Sequence, residues 1–486
     1  MRLGEILVAR GLATVEDIER ATERQKEHGG RLGDNLLALG VLTAEQMDGI
    51  IHATPQSPRS IAETGIPPNS LLGLMMKFMY LQPRETAADL VDALRLPLSV
   101  VRTLIEDATQ KKLIQALGGA GGGIGMAAQI RYALTDRGRE AANEALSRNL
   151  YLGPAPVSLP AFQEQVLKQR ITNEVVDQAA IRQCFANLVI PDHFLRKIGP
   201  AINAGRTILL YGPPGNGKTS IATRVSKIFR DVVYIPYAVE IDGQILQVYD
   251  PTVHTTAVNK EEAEELASRE IKIRRDEFDR RWVACQRPVV VVGGELTLDM
   301  LDLSYNDEAK FYEAPMHVKA LNGTFIIDDF GRQIVSPEAL LNRWIVPMES
   351  RIDFLKLNTG KSFYLPFDAL LIFSTNMAPD DLMDPAFLRR IPYKIELYEP
   401  SKEDFRTIFA AIAKGCGLTL TDEVFEFVVR ELERNKYHLA YYQPKFICDQ
   451  VLAACKYEGA SPEFTVDRVA DALSNLYVHI KIERGE

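Results

Sequence analysis

Gly212-Pro213-Pro214-Gly215-Asn216-Gly217-Lys218-Thr219 follows the apolar run 207–211 and precedes a helix-forming stretch. A GxxxxGK[ST] segment between strand and helix is suited to binding phosphates. Its glycines let backbone N–H groups converge on a β-phosphate at a helix N-terminus. Lys218 can neutralise the β/γ oxygens, and the Thr219 hydroxyl can ligate Mg2+. A second run, Phe325-Ile326-Ile327-Asp328-Asp329, is an apolar strand ending in paired carboxylates. Such a pair suits a hydrated Mg2+ and an attacking water. A third, 370–376, ends in Asn376, an amide able to hold a water beside a γ-phosphate; Asp384-Pro385-Ala386-Phe387-Leu388-Arg389-Arg390 comes after it. ATP with Mg2+ is the expected ligand.

These groups need a rigid frame. From Phe162 onward short apolar runs at 207–211, 232–235, 289–292, 324–327, 370–374 and 393–397 alternate with helical stretches. Short buried strands separated by helices predict a parallel sheet covered on both faces. After Pro400 the pattern is helical to the end, an all-α lid. The expected class is multidomain α/β, with an ATPase core at 162–400 and the lid at 401–486.

At this point the chain resembles an AAA+ ATPase, over about residues 165–486. The resemblance places Gly212 to Thr219 in Walker A, Asp328 and Asp329 in Walker B, and Asn376 at sensor 1. It makes Thr219 and Asp328 the metal-side residues and Asp329 the water-orienting one. Arg389 and Arg390 match the arginine-finger segment, which acts in trans and implies a homo-oligomeric ring, usually a hexamer. Lys445, in the helix opened by Gln443-Pro444, lies where the family carries sensor 2. Three departures stand out. Asp329 replaces the usual Glu and is one methylene shorter, so slow hydrolysis is an alternative outcome. Lys445 replaces an arginine. Lys218 and Asp328 are 110 positions apart, which predicts an insertion between about 241 and 322. Arg351 is a second finger candidate, with an ordinary ion-pair role as its alternative.

The chain opens on a repeat. Arg2-Leu3-Gly4-Glu5-Ile6-Leu7 recurs as Arg31-Leu32-Gly33-Asp34-Asn35-Leu36-Leu37. Each copy reads as a short helix, a glycine stop, and a second helix capped by Thr14 or Thr43, so 1–55 is expected to form helical hairpins. The repeat resembles the N-terminal domain of type II secretion and type IV pilus assembly ATPases, in which two such copies bind cyclic di-GMP. Arg2, Leu3, Gly4 and the closing Gln25 match in the first copy, and Arg31, Leu32 and Gly33 in the second, which closes on Thr54 instead of Gln. An arginine can stack on and hydrogen-bond a guanine, the leucines would pack the ligand, and glycine permits close approach. The alternative is a domain of this fold that only docks onto protein.

Residues 56–68 and 151–161 read as linkers. Between them, 69–150 has the order of a winged helix-turn-helix, with 118–125 as the wing tip. Its would-be recognition helix carries Arg102, Lys111 and Lys112 but also Glu106 and Asp107. DNA is not the favoured partner of so balanced a face; a protein contact or spacer is the other reading. Residues 259–281, with seven basic and eight acidic side chains, read as a solvated helix.

A length of 486 residues with 46% hydrophobic and 25% charged residues predicts about three folded domains. A net charge of −9 excludes a surface built wholesale for nucleic acid or membrane. Five cysteines without CxxC spacing suggest neither zinc nor a disulfide framework. With no apolar stretch of membrane-spanning length, the expected location is the cytoplasm of a bacterium. The expected function is an AAA+ ATPase that remodels a protein client of a secretion, pilus or polysaccharide system under cyclic di-GMP control. The alternatives are a DNA-binding regulator and a slow nucleotide-state scaffold.

Overall fold

A computed structural model describes the chain apart from residues 1–6, 9–11, 29–31, 44–45, 47–52, 83, 121–128, 187, 189, 191, 230, 258–277 and 478–486. Arg2, Leu3, Gly4, Arg31, most of the expected wing tip and most of the charged stretch 259–281 lie outside the described residues.

Four short runs rich in β-branched or large apolar residues and a fifth that alternates with charge become the core strands β1 (Ile208–Tyr211), β2 (Val289–Val292), β3 (Thr324–Ile327), β4 (Leu370–Thr375) and β5 (Tyr393–Glu396). They form one sheet in the order β5-β1-β4-β3-β2, with every neighbouring pair parallel. The pleat sends alternate residues to opposite faces. Ile208 and Leu210 join Ile198, Ile221 and Val225 on one side. Leu209 joins Phe325, Phe373 and Trp344 on the other. Burial on both faces requires helices on both, which is why the inner strands β1, β3 and β4 are almost wholly apolar, whereas the edge strand β5 carries Lys394 and Glu396.

The sixth expected strand is a correction. Val232–Pro236 pairs antiparallel with Trp282–Gln286 in a separate two-stranded ribbon. A buried β-branched run looks the same whichever sheet receives it, so its composition could not tell the two apart.

The long excursion before β3 builds a second sheet, in the order Ser304–Asn306, Phe311–Glu313, Gln244–Gln247, Ala238–Ile241, Val157–Ser158. The last of these strands lies in the stretch read as a linker, 151–161, and runs parallel to Ala238–Ile241. Residues 68–148 form three helices, the antiparallel hairpin Ile114–Ala120 with Gln129–Leu134, and a fourth helix, Asp136–Arg148. Their core takes in Ala238 and Ile245 of the second sheet. Inside it Lys77 is 4% exposed and donates to Asn149 O and Oδ1, both at 2.7 Å, and to Tyr151 O at 3.4 Å. Burial pulls its ammonium pKa down to about 8.

The other stretch read as a linker, 56–68, and the residues just before it are clasped to the core. Pro55 O accepts from Asp279 N at 3.0 Å, and Ala53 O accepts from Gln165 Nε2 at 2.6 Å. Arg281 donates to Thr64 O at 3.2 Å and Pro156 O at 3.0 Å while pairing with Asp279 at 2.8 Å. Arg281 and Asp279 are 4% and 2% exposed. This corrects the reading of 259–281 as a solvated helix at its described end, where an apparent surface charge pair is a buried fastener. The pair is viable because both carboxylate oxygens and the guanidinium N–H groups find partners.

Four described helices between Lys402 and Leu476 form their own core around Phe405, Phe409, Phe425 and Val451. Among the described residues no helix is long and apolar enough to cross a membrane.

Candidate functional site

The phosphate loop leaves β1 and enters the helix Lys218–Ser226, whose N-cap, Gly217, has φ 75° and offers no side-chain cap. The first-turn N–H groups of that helix are therefore not consumed by a capping side chain, as an anion site requires. Gly212, at φ 141°, permits close passage beside β5: a Cβ there would lie 2.3 Å from Leu397 O. Lys218 is buried and its Nζ donates to Gly212 O at 2.9 Å and Pro213 O at 2.8 Å. Burial lowers its pKa, and the nearby Asp329 and Asp328 carboxylates oppose the fall.

Thr219 Oγ1 donates to Asp328 Oδ2 at 2.7 Å, joining the loop to the end of β3. Asp329 adopts φ 47°, a left-handed conformation that costs a non-glycine residue strain. The turn is held open by Phe330 N donating to Ser374 O at 2.7 Å, by Thr375 Oγ1 donating to Phe330 O at 2.7 Å, and by Gln333 Nε2 donating to Asp328 O at 2.9 Å. Asn376, at the end of β4, donates Nδ2–H to Asp329 Oδ1 at 3.0 Å. The structure thus brings Lys218, Thr219, Asp328, Asp329 and Asn376 together at the carboxyl ends of three adjacent strands, where open parallel sheets place ligands. Gln333 and Thr375, which fix the turn, carry no motif of their own and were not singled out in the sequence.

Lys218, Thr219, Asp328, Asp329 and Asn376 line a cavity of about 830 Å³. Its polar end carries the phosphate loop, Asp328, Asp329 and Asn376, and its apolar walls include Ile190, Phe194, Ile408 and Ile412. A polyphosphate end opposite an apolar slot fits a nucleotide. A cation-ligating hydroxyl bonded to a carboxylate, beside an uncapped helix N-terminus, fits Mg2+ bridging to phosphate.

The remaining predicted residues are placed differently. Lys445 does not line this cavity; its Nζ bonds Asp449 Oδ1 at 2.7 Å, and that carboxylate raises its pKa. Arg390 pairs with Glu349 Oε1 at 2.5 Å and donates to Ala386 O at 3.2 Å, whereas Arg389 is exposed at the end of the short helix Pro385–Leu388. Arg351, the second finger candidate, takes a role nearer its alternative: its guanidinium donates to Gly205 O within the same chain, and burial lowers its pKa. In the N-terminal unit Thr14 caps the helix Val15–His28 through reciprocal bonds with Asp17, and Thr43 makes the same pair of bonds with Gln46. Gln25 is half-buried and Gly33 buried. Leu32 is another correction: it is 4% exposed and packs with Leu7, Ile18 and Leu36 inside the unit, not on a ligand-facing surface. Thr54, the repeat's closing position, lies 3.2 Å from Tyr234 OH of the core.

The site is a glycine-rich loop and paired carboxylates gathered at the carboxyl ends of a parallel sheet. A family described as "Domain of unknown function (DUF8689)" matches residues 401–475, nearly the whole of the four-helix unit. The chain is similar to the vesicular-fusion protein sec18 of Schizosaccharomyces pombe, at 46% identity over 50 residues; the match covers 10% of this chain and 6% of that protein. Among solved structures it is similar to RuvB, the Holliday junction branch migration motor of Thermotoga maritima, with a TM-score of 0.31 and 15% identity over 66% of this chain and 72% of that one. It is also similar to NtrX from Brucella abortus, with a TM-score of 0.37 and 12% identity over 71% and 68%. None of these likenesses fixes an activity for this chain.

Proposed function

We propose that the protein is an AAA+ ATPase that hydrolyses ATP with Mg2+ and remodels a protein client. The observation that carries this reading is the pair of side-chain links at the strand ends, Thr219 to Asp328 at 2.7 Å and Asn376 to Asp329 at 3.0 Å, facing the buried Lys218. Mg2+ would neutralise charge on the β/γ oxygens, held on the side of Thr219 and Asp328. Lys218 exchanges its bonds with loop carbonyls for phosphate oxygens. Asp329 accepts a proton from a water that the Asn376 amide helps to place. Turnover of ATP by the purified full chain, lost together with nucleotide binding in Lys218→Ala, tests the reading.

Arg389, exposed and clear of the ion pair that engages Arg390, supports assembly into a ring in which it reaches a neighbour's phosphate. The N-terminal Arg-Leu-Gly repeat supports cyclic di-GMP as the regulator and a secretion, pilus or polysaccharide system as the setting. A second reading, a slow nucleotide-state switch, is favoured by Asp329, whose carboxylate is shorter than Glu and has one oxygen engaged by Asn376. Single-turnover hydrolysis slower than client cycling would select it. The 68–148 unit could serve a DNA-binding regulator, but its engagement by the second sheet favours a spacer.

A further inference from the structure

Gly215, on the phosphate loop, has φ +80°, and a Cβ built on it would lie 2.3 Å from Cδ1 and 2.6 Å from Cε1 of Tyr442. Only a residue without a side chain lets an aromatic ring come this close. Tyr442 immediately precedes the helix Gln443–Glu458 of the four-helix unit, so this is a direct contact between that unit and the phosphate loop. The ring is braced from behind. Its hydroxyl lies 3.1 Å from Tyr477 OH, which accepts from Gln443 Nε2 at 2.7 Å. Tyr477 in turn stacks on Tyr437 with ring centroids 3.7 Å apart. Lys445, the charged residue one turn on, is engaged by Asp449 instead.

Resting on the reading of the cavity as an ATP site, we propose that Tyr442 is the positioning residue through which phosphate-loop occupancy is transmitted to the four-helix unit, by ring contact and without charge. A close-packed ring leaves no slack, so a shift of Gly215 when phosphate enters must move the ring or be resisted by it. Because Tyr442 is the residue directly before helix Gln443–Glu458, the start of that helix moves with the ring. Coupling is reciprocal, so the position of the helices sets the loop's readiness for phosphate in return.

Amide hydrogen exchange on the full chain, with and without Mg2+ and a non-hydrolysable ATP analogue, tests this. In the wild type the analogue should slow exchange both at 215–222 and at 443–447, by about tenfold or more. Tyr442→Ala should keep the slowing at 215–222 and lose it at 443–447, with exchange around Val451 unchanged as proof that the helices remain folded. Tyr442→Phe, which keeps the ring, should restore the slowing at 443–447. Persistent slowing at 443–447 in the Ala variant would overturn the proposal, as would loss at both places together or failure of Phe to rescue. No slowing at 215–222 in the wild type would instead remove the ATP reading beneath it.

Discussion

Asn376 donates its amide N–H to Asp329 Oδ1 across 3.0 Å, tying the end of β4 to a residue in left-handed conformation at the end of β3. One carboxylate oxygen is thereby oriented by an amide. The neighbouring acids are engaged by different elements, because Asp328 is bonded to Thr219 of the phosphate loop.

Asp329→Asn should bind ATP and lower turnover by about a hundredfold or more, the range for loss of a positioned general base. Asp328→Asn should weaken Mg2+ retention more than ATP binding. Steady-state rates with a Mg2+ titration separate the two, and undiminished turnover in Asp329→Asn would move the water-orienting role elsewhere.

Lys218→Ala should abolish detectable nucleotide binding at micromolar ligand, since no other cation lines the phosphate end of the cavity among the described residues. Fluorescent-nucleotide titration checks it. Wild-type affinity in the variant would remove the site.

The two arginines should behave differently. Arg389→Ala should cut turnover and spare ATP affinity, and mixing it with Asp329→Asn protein should recover part of the rate if the finger acts in trans. Arg390→Ala should instead loosen the contact with Glu349, an exposed pair of modest energetic weight. A monomer in the presence of ATP at micromolar concentration would count against the ring.

Arg2→Ala and Arg31→Ala should each cost about 1.5 to 3 kcal/mol of cyclic di-GMP affinity, or about one to two decades, if each arginine serves one end of the ligand. Calorimetry with the full chain measures this. No binding at tens of micromolar would leave the repeat as a docking unit.

Lys77 gives a pH dependence. Its folded pKa is lowered to about 8 by burial, while the unfolded chain keeps its proton up to about 10.4. Between these values the unfolded state binds more protons, so stability rises with pH; the contribution is complete above the unfolded pKa and is lost as pH falls through about 8. The denaturant midpoint of the wild type should therefore climb relative to Lys77→Met between pH 7.5 and 9.5. Parallel profiles would show that the ammonium is not desolvated.

The sequence made the nucleotide groups legible because each sits at the end of an apolar run, and a strand end is a fixed place in a parallel sheet. It could not show Gln333 or Tyr442, whose roles come from contacts across the fold. Lys445 and Arg351 were read from their place in a pattern, but local partners, Asp449 and Gly205 O, claim their charges. Leu32 fits both a ligand-facing and a core-facing leucine until the helix is packed. Val232–Pro236 carried the composition of a core strand and was claimed by Trp282–Gln286.

The Arg281 clasp bears on how the chain can be dissected. A fragment beginning at Phe162 would discard Pro55, Thr64 and Pro156, leaving a buried guanidinium short of two acceptors and the second sheet short of its edge strand. The apparent hinges are thus structural parts of the half that carries the phosphate loop. Expression boundaries drawn through them would yield a fragment that is intrinsically destabilised, so the isolated core is a poor reference for the behaviour of the whole.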